Sequence, residues 1–192
     1  MKKAESRAPF SYGWIVIWST FVALLCAAGI RFSFGALINP WEAEFGWTRD
    51  TVSFVGSLGL MVYGLLPPLA GRLADQYGAR VILVAGVILA GLGAIFTSFI
   101  WEIWQLALAF GIVAGAGAAF GSAVPAVPLA SRWFVRKRGL AVGIVTAGTA
   151  AAQLVIVPLA IYLIVNYGWR SAMLWIGLVY VIVMAPLLLL LI

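Results

Sequence analysis

Arg31 is the one charge set well inside an uninterrupted apolar run of this chain. A guanidinium offers planar donors that hold a carboxylate through two parallel hydrogen bonds, which suits the capture of small organic acids. A second polar feature spans residues 71–80, Gly71-Arg72-Leu73-Ala74-Asp75-Gln76-Tyr77-Gly78-Ala79-Arg80, and separates two runs, 52–69 and 81–100, that carry no charge. In it Gly71 permits close helix approach and Gly78 permits a left-handed backbone in a turn. Asp75 can favour the positive N-terminal end of a neighbouring helix, and Arg80 can pair with it. Tyr63, Ser122, Thr149 and Gln153 are further candidates for a polar cavity. Each of the four reads first as a hydrogen-bonding partner for a neighbouring helix.

Other chemistry is excluded by what is missing. The chain has no histidine and a single cysteine, Cys26, inside the first apolar run. Metal clusters, Cys/His dyads, Ser-His-Asp triads and an intrachain disulfide are thereby removed, and no cofactor is expected. No acidic residue lies deep in any apolar run, so neither an intramembrane enzyme nor an obvious proton carrier is legible. No ring of repeated charges or carbonyls suggests a channel filter.

The elements that must position these residues follow from composition. Of 192 residues, 65% are hydrophobic and 9% charged, against about a quarter charged in a water-soluble domain. Six apolar runs, at roughly 13–38, 51–72, 80–100, 103–130, 139–165 and 170–192, each approach the ~20 residues needed to span a bilayer. They are too long and continuous for barrel strands, so the expectation is an all-α bundle of six transmembrane helices, with residues 71–80 as a surface loop. The first run is too long for a cleavable signal.

Nine basic residues fall at the N-terminus and in the even-numbered connections, two in the odd-numbered ones beside Glu42, Glu44, Asp50 and Glu102. This is the positive-inside pattern, and it predicts a cytoplasmic N-terminus in the inner (plasma) membrane. It also removes nucleic acid as a partner for the basic cluster at Arg132, Arg136, Lys137 and Arg138. Arg31, seventeen residues beyond Trp14, sits ~26 Å along its helix, in the outer half. From there its side chain can either snorkel to the outer surface or line a central cavity.

A weak repeat relates the two halves of the chain. Tyr77-Gly78-Ala79-Arg80 recurs as Tyr167-Gly168-Trp169-Arg170 at an offset of 90, which also relates Trp14 to Trp104. Three spans per unit give two copies of opposite topology, an inverted repeat of the kind found in transporter folds.

Residues 71–80 resemble the motif between helices 2 and 3 of the major facilitator superfamily, roughly G-x-L-A-D-R-x-G-R-(K/R). Gly71, Leu73, Ala74, Asp75, Gly78 and Arg80 match, while Gln76 and Ala79 replace two bases. The stretch from Trp133-Phe134-Val135-Arg136-Lys137-Arg138 through Gly143 to Gly148 resembles the helix 5 pattern of the monocarboxylate transporters, Y-F-x-K-(K/R)-(R/L)-x-L-A-x-(G/A)-x-A-x-A-G. Trp133, Arg136 and Val145 depart from it conservatively. Ser11-Tyr12-Gly13-Trp14 resembles the end of that family's helix 1 motif, and the related oxalate/formate antiporters share much of the likeness. Gly111 stands where the superfamily often has a helix 4 arginine, so no such role is carried over.

The resemblance implies the N-terminal half of a twelve-helix transporter, with residues 1–12 a cytoplasmic segment and 13–192 two inverted three-helix repeats. It implies alternating-access transport of mono- or dicarboxylates, by proton symport or anion exchange, with Arg31 holding the carboxylate. The four residues Gly71, Asp75, Gly78 and Arg80 become a cytoplasmic latch, and Phe134, Arg136, Lys137, Arg138, Gly143 and Gly148 a helix 4–5 motif. Small residues such as Gly143, Ala147, Gly148 and Ala151 serve helix packing under either reading. The partners implied are a carboxylate, the bilayer and a C-terminal six-helix half or second chain, without which this chain is expected not to transport. Transport of another solute, or a structural role as an assembly half, are the alternatives.

Overall fold

The computed structural model describes residues 10–133 and 138–191, with side chains described for 13–131 and 138–191. Every element among them is helical. Helix α1 (Phe10–Phe45) is followed by α2 (Arg49–Leu65) and α3 (Pro67–Tyr77), then by α4 (Ala79–Thr97). The fourth span, Ile103–Ser131, is assembled from α5 (Ile103–Leu106), a π-helical segment (Ala107–Ala114), α6 (Gly115–Phe120) and α7 (Ala123–Trp133). Helix α8 (Arg138–Tyr167) precedes the last span, formed by α9 (Trp169–Leu178), a second π segment (Val179–Met184) and α10 (Ala185–Leu191). Five of these units are long and apolar enough to cross a membrane, and α2 with α3, bent by 44°, makes a sixth.

Local chemistry explains where the helices start and break. Thr48 caps α2 by accepting the Thr51 amide, and Asp50 sits in the first turn, where the helix dipole favours an acid. The bend between α2 and α3 falls at Leu66 because Pro67 brings no N–H and occupies the first turn of the new helix. Glu102 and Gln105 cap the fourth span reciprocally.

Two boundaries differ from those expected. Helix α1 continues through Pro40 to Phe45, so Glu42 and Glu44 ride on the helix instead of in a loop. The stretch 71–80 is helical through Tyr77, and Gly78 alone interrupts it. Leu73, Ala74 and Gln76 are good helix formers and no proline intervenes, so polarity marked the membrane surface without ending the helix.

The packing carries the inverted repeat. Helix α1 lies against α8, α2 against the fourth span, and α4 against α9. An ideal Cβ on Gly148 would meet Phe21, and one on Gly29 would meet Ile156, so α1 and α8 run parallel. Gly111 faces Val55 and Leu58 while Gly115 faces Gly59 and Val62, so α2 and the fourth span also run parallel. Exchanging spans 1–3 with 4–6 turns one of these pairs into the other and maps the α4–α9 pair onto itself. Gly78 (φ 93°, ψ 138°) and Gly168 (φ 80°, ψ 155°) adopt the same backbone before α4 and α9, a region open essentially to glycine alone. Inside lipid, where water does not drive helices together, such close glycine contacts supply the packing.

Candidate functional site

A cleft of about 320 Å³ opens between α1, α2 and the fourth span. Its wall holds Arg31, Phe32 and Phe34 from α1, and Ser53, Gly56, Ser57, Gly59 and Leu60 from α2. Phe110, Ala114 and Gly115 close the third side. The small residues on α2 make the space: a Cβ on Gly56 would lie 2.5 Å from the Phe34 ring. Phe34 in turn packs on Trp41 and Phe110 with ring centroids 5.7 and 5.1 Å apart, which fixes the apolar end of the cleft.

Arg31 is the charge in this wall. Its guanidinium carbon sits 4.3 Å from the Phe32 ring centroid and 4.5 Å from that of Tyr63. No carboxylate among the described residues pairs with it, and its Nε is enclosed without an acceptor. The direction of the side chain is informative. Gly56 abuts Phe34, so on the oppositely running α2 the level of Arg31 lies near Gly59, and Tyr63 lies a further turn toward the α2 C-terminus. The guanidinium therefore reaches back toward the N-terminus of α1, as helical side chains lean. Phe45 is fourteen residues, about 21 Å, the other way, so snorkelling to that end is not what this side chain does.

Of the other candidates, only Tyr63 joins Arg31. Ser122 is buried at the break between α6 and α7, where its Oγ accepts the Val124 amide at 3.4 Å. Thr149 and Gln153 lie on α8, away from the cleft wall; with Gly148 level with Phe21 and Ile156 with Gly29, they sit about 14 and about 8 Å from the level of Arg31. None of the four forms the expected hydrogen bond to a neighbouring helix among the described residues. Ser122 bonds locally to Val124, and Gln153 is exposed.

The expected latch is a groove. Gly71, Ala74, Asp75 and Ala79 face Val124, Pro125, Pro128 and Leu129 of α7 across about 180 Å³, and a Cβ on Gly71 would come within 3.2 Å of Val124. Asp75 and Arg80 are both exposed and do not pair, correcting that expectation. Gly78 turns the chain between the last turn of α3 and the first turn of α4, which places the two charges on separate helices. Arg138 is exposed at the start of α8. Gly148 is buried against α1, whereas Gly143 has no atom within 4 Å of where its Cβ would be. Phe134, Arg136 and Lys137 lie outside the described residues.

Two constellations went unread in the sequence. Ser53 and Ser57, four apart on α2, put two hydroxyls into the wall that holds Arg31; the spacing with Gly56 was the available signal. At the other end of α1, Glu44 accepts Trp169 Nε1, Arg170 Nε at 3.1 Å and Arg170 Nη2 at 2.9 Å. Arg170 also donates to the Ser98 carbonyl at 3.0 Å and lies 4.3 Å from the Trp101 ring. This clamp ties the ends of spans 1, 3 and 6. The 90-residue repeat pointed to Arg170 but not to its partner.

Comparison with known proteins agrees with this architecture. The profile of the Major Facilitator Superfamily matches residues 20–192. The chain is 32% identical over 166 residues to monocarboxylate transporter 11 of Mus musculus, covering 86% of this chain and 37% of that protein. It is 32% identical over 163 residues to monocarboxylate transporter 13 of Rattus norvegicus, covering 85% and 38%, and 29% identical over 170 residues to monocarboxylate transporter 2 of Homo sapiens, covering 86% and 34%. The chain thus spans little more than a third of the length of the curated relatives it matches.

Proposed function

This chain belongs to the major facilitator superfamily, and on that premise we propose that it supplies the N-terminal six-helix bundle of a secondary transporter for small organic anions. The observation that carries the substrate class is Arg31, a cation without a counter-ion among the described residues, in the wall of a cleft of about 320 Å³. An unpaired charge in a low-dielectric wall is costly, and a carboxylate that reaches its terminal nitrogens relieves that cost through charge-assisted hydrogen bonds. Relatives named monocarboxylate transporters support the same class.

The cleft opens to the outside of the bundle, and a second six-helix bundle facing it would close a path between two aqueous sides. In this arrangement Asp75 and Arg80, neither of which pairs with a described residue, are free to meet groups on the facing bundle, and the groove at Gly71 sets how close α3 approaches α7. Alternating access then follows from rocking the two bundles about a fixed site. Coupling is by proton symport or anion exchange, and the distribution of basic residues supports a cytoplasmic N-terminus with the protein in the inner membrane.

The test is binding of a panel of mono- and dicarboxylates and their neutral amides to the chain in lipid nanodiscs, with and without Arg31→Ala. Carboxylates are expected to bind and amides not, with binding lost in the variant. Equal binding of acids and amides, or binding untouched by Arg31→Ala, sinks the proposal. Uptake measured in proteoliposomes separates transport by this chain alone from transport that needs a second bundle. A bundle that binds no small anion in any setting leaves the structural, assembly-only reading.

A further inference from the structure

We infer that Tyr63 is a positioning residue for Arg31, presenting the two terminal guanidinium nitrogens to the cleft so that a carboxylate is held end-on. The inference rests on Arg31 being the anion-binding cation proposed above. Two aromatic rings on different helices, Phe32 of α1 and Tyr63 of α2, come within 4.5 Å of the guanidinium carbon. Their negative faces attract the cation where no described residue supplies an acidic partner. The Tyr63 hydroxyl bonds to no other described residue, so the ring is the part in use.

The nitrogens divide accordingly. Nε is enclosed and has no acceptor, which leaves no room for a carboxylate oxygen beside it. Side-on pairing, through Nε and one terminal nitrogen, is therefore closed off. The two terminal nitrogens are neither enclosed nor paired, and together they form the fork that an end-on carboxylate needs. A free arginine side chain would lose rotamer freedom on gripping its ligand. One already stacked on rings from two helices has less to lose.

The experiment is NMR of the chain labelled with ¹⁵N,¹³C-arginine in detergent micelles, with acetate as the probe anion and Arg31→Lys to assign the signal. Ring currents should displace the Arg31 Nε–H resonance upfield; Tyr63→Phe should keep it there and Tyr63→Leu should return it toward that of free arginine. Acetate should move the Arg31 Cζ resonance saturably, with little change at Nε–H. Its affinity should be kept in Tyr63→Phe and weakened roughly fivefold in Tyr63→Leu. The Arg170 Nε–H signal, bonded to Glu44, reports in every sample that the bundle is folded.

With that signal intact, a Tyr63→Leu protein that keeps both the Arg31 resonance and the acetate affinity overturns the positioning role. A large downfield move of Nε–H on acetate binding means side-on pairing and overturns the end-on assignment. Acetate that never perturbs Arg31, while Tyr63→Leu still displaces its resonance, refutes instead the anion-binding role on which the inference stands.

Discussion

Gly143 and Gly148 belong to one sequence motif and separate cleanly in the structure, so alanine at each gives opposite outcomes. At Gly148 an added Cβ would lie 2.5 Å from the Phe21 carbonyl oxygen of α1, a backbone atom that cannot swing aside. Restoring an ordinary 3.4 Å contact requires α1 and α8 to part by about 0.9 Å where they are most tightly packed. Overpacking of this kind costs about 1–3 kcal/mol, and the better helix propensity of alanine returns up to about 1 kcal/mol. From the middle of each range, the net expectation for Gly148→Ala is a loss of about 1.5 kcal/mol. At Gly143 there is no clash to offset the propensity, so Gly143→Ala should be neutral or stabilising by up to about 1 kcal/mol. The assay is unfolding by increasing SDS fraction in mixed micelles, followed by tryptophan fluorescence from the nine tryptophans. A Gly148→Ala protein as stable as the unsubstituted chain, or two variants shifted alike, would refute the packing argument.

Four further outcomes are expected. Glu44→Ala strands the Trp169 indole N–H beside an unpaired Arg170 and should destabilise the bundle by about 2 kcal/mol in the same assay, Glu44→Gln by less because one acceptor oxygen remains. Gly78→Ala and Gly168→Ala force a side chain into a positive-φ backbone open essentially to glycine and should each cost about 1–3 kcal/mol; equal stability to the parent would mean that the turns relax. Arg31→Ala removes a cation with no counter-ion among the described residues, so carboxylate binding should vanish while stability holds or rises, and a large destabilisation would show a structural role instead. Cys26, 1% exposed, should resist a membrane-permeant maleimide in the folded protein and react only with unfolding, as read by mass spectrometry.

The sequence alone determined the class of fold and the family likeness, because both rest on local facts. Uncharged runs of about twenty residues require helices in a bilayer whatever they pack against. The recurrence of Tyr-Gly-x-Arg marked an inverted repeat, and the same glycine backbone at Gly78 and Gly168 realises it. Arg31 stood out because a lone charge in an apolar run needs a reason. Boundaries were less legible: the run at 51–72 gave no stop at Pro67, where the helix does break, and the polar stretch 71–77 and Pro40 leave their helices continuous.

What lies across helices was decided by tertiary structure alone. No spacing in the chain says that Tyr63 and not Gln153 approaches Arg31, or that Asp75 and Arg80 stand apart. Glu44 and Arg170 are 126 residues apart, and only the meeting of α1 with α9 makes them a pair. The same holds within one motif, where Gly148 meets a backbone and Gly143 meets nothing. The physical reason is common to all of these. Periodicity and composition fix which side chains lie on which face of a helix, while the partner across an interface depends on how whole helices pack, a property distributed over the bundle.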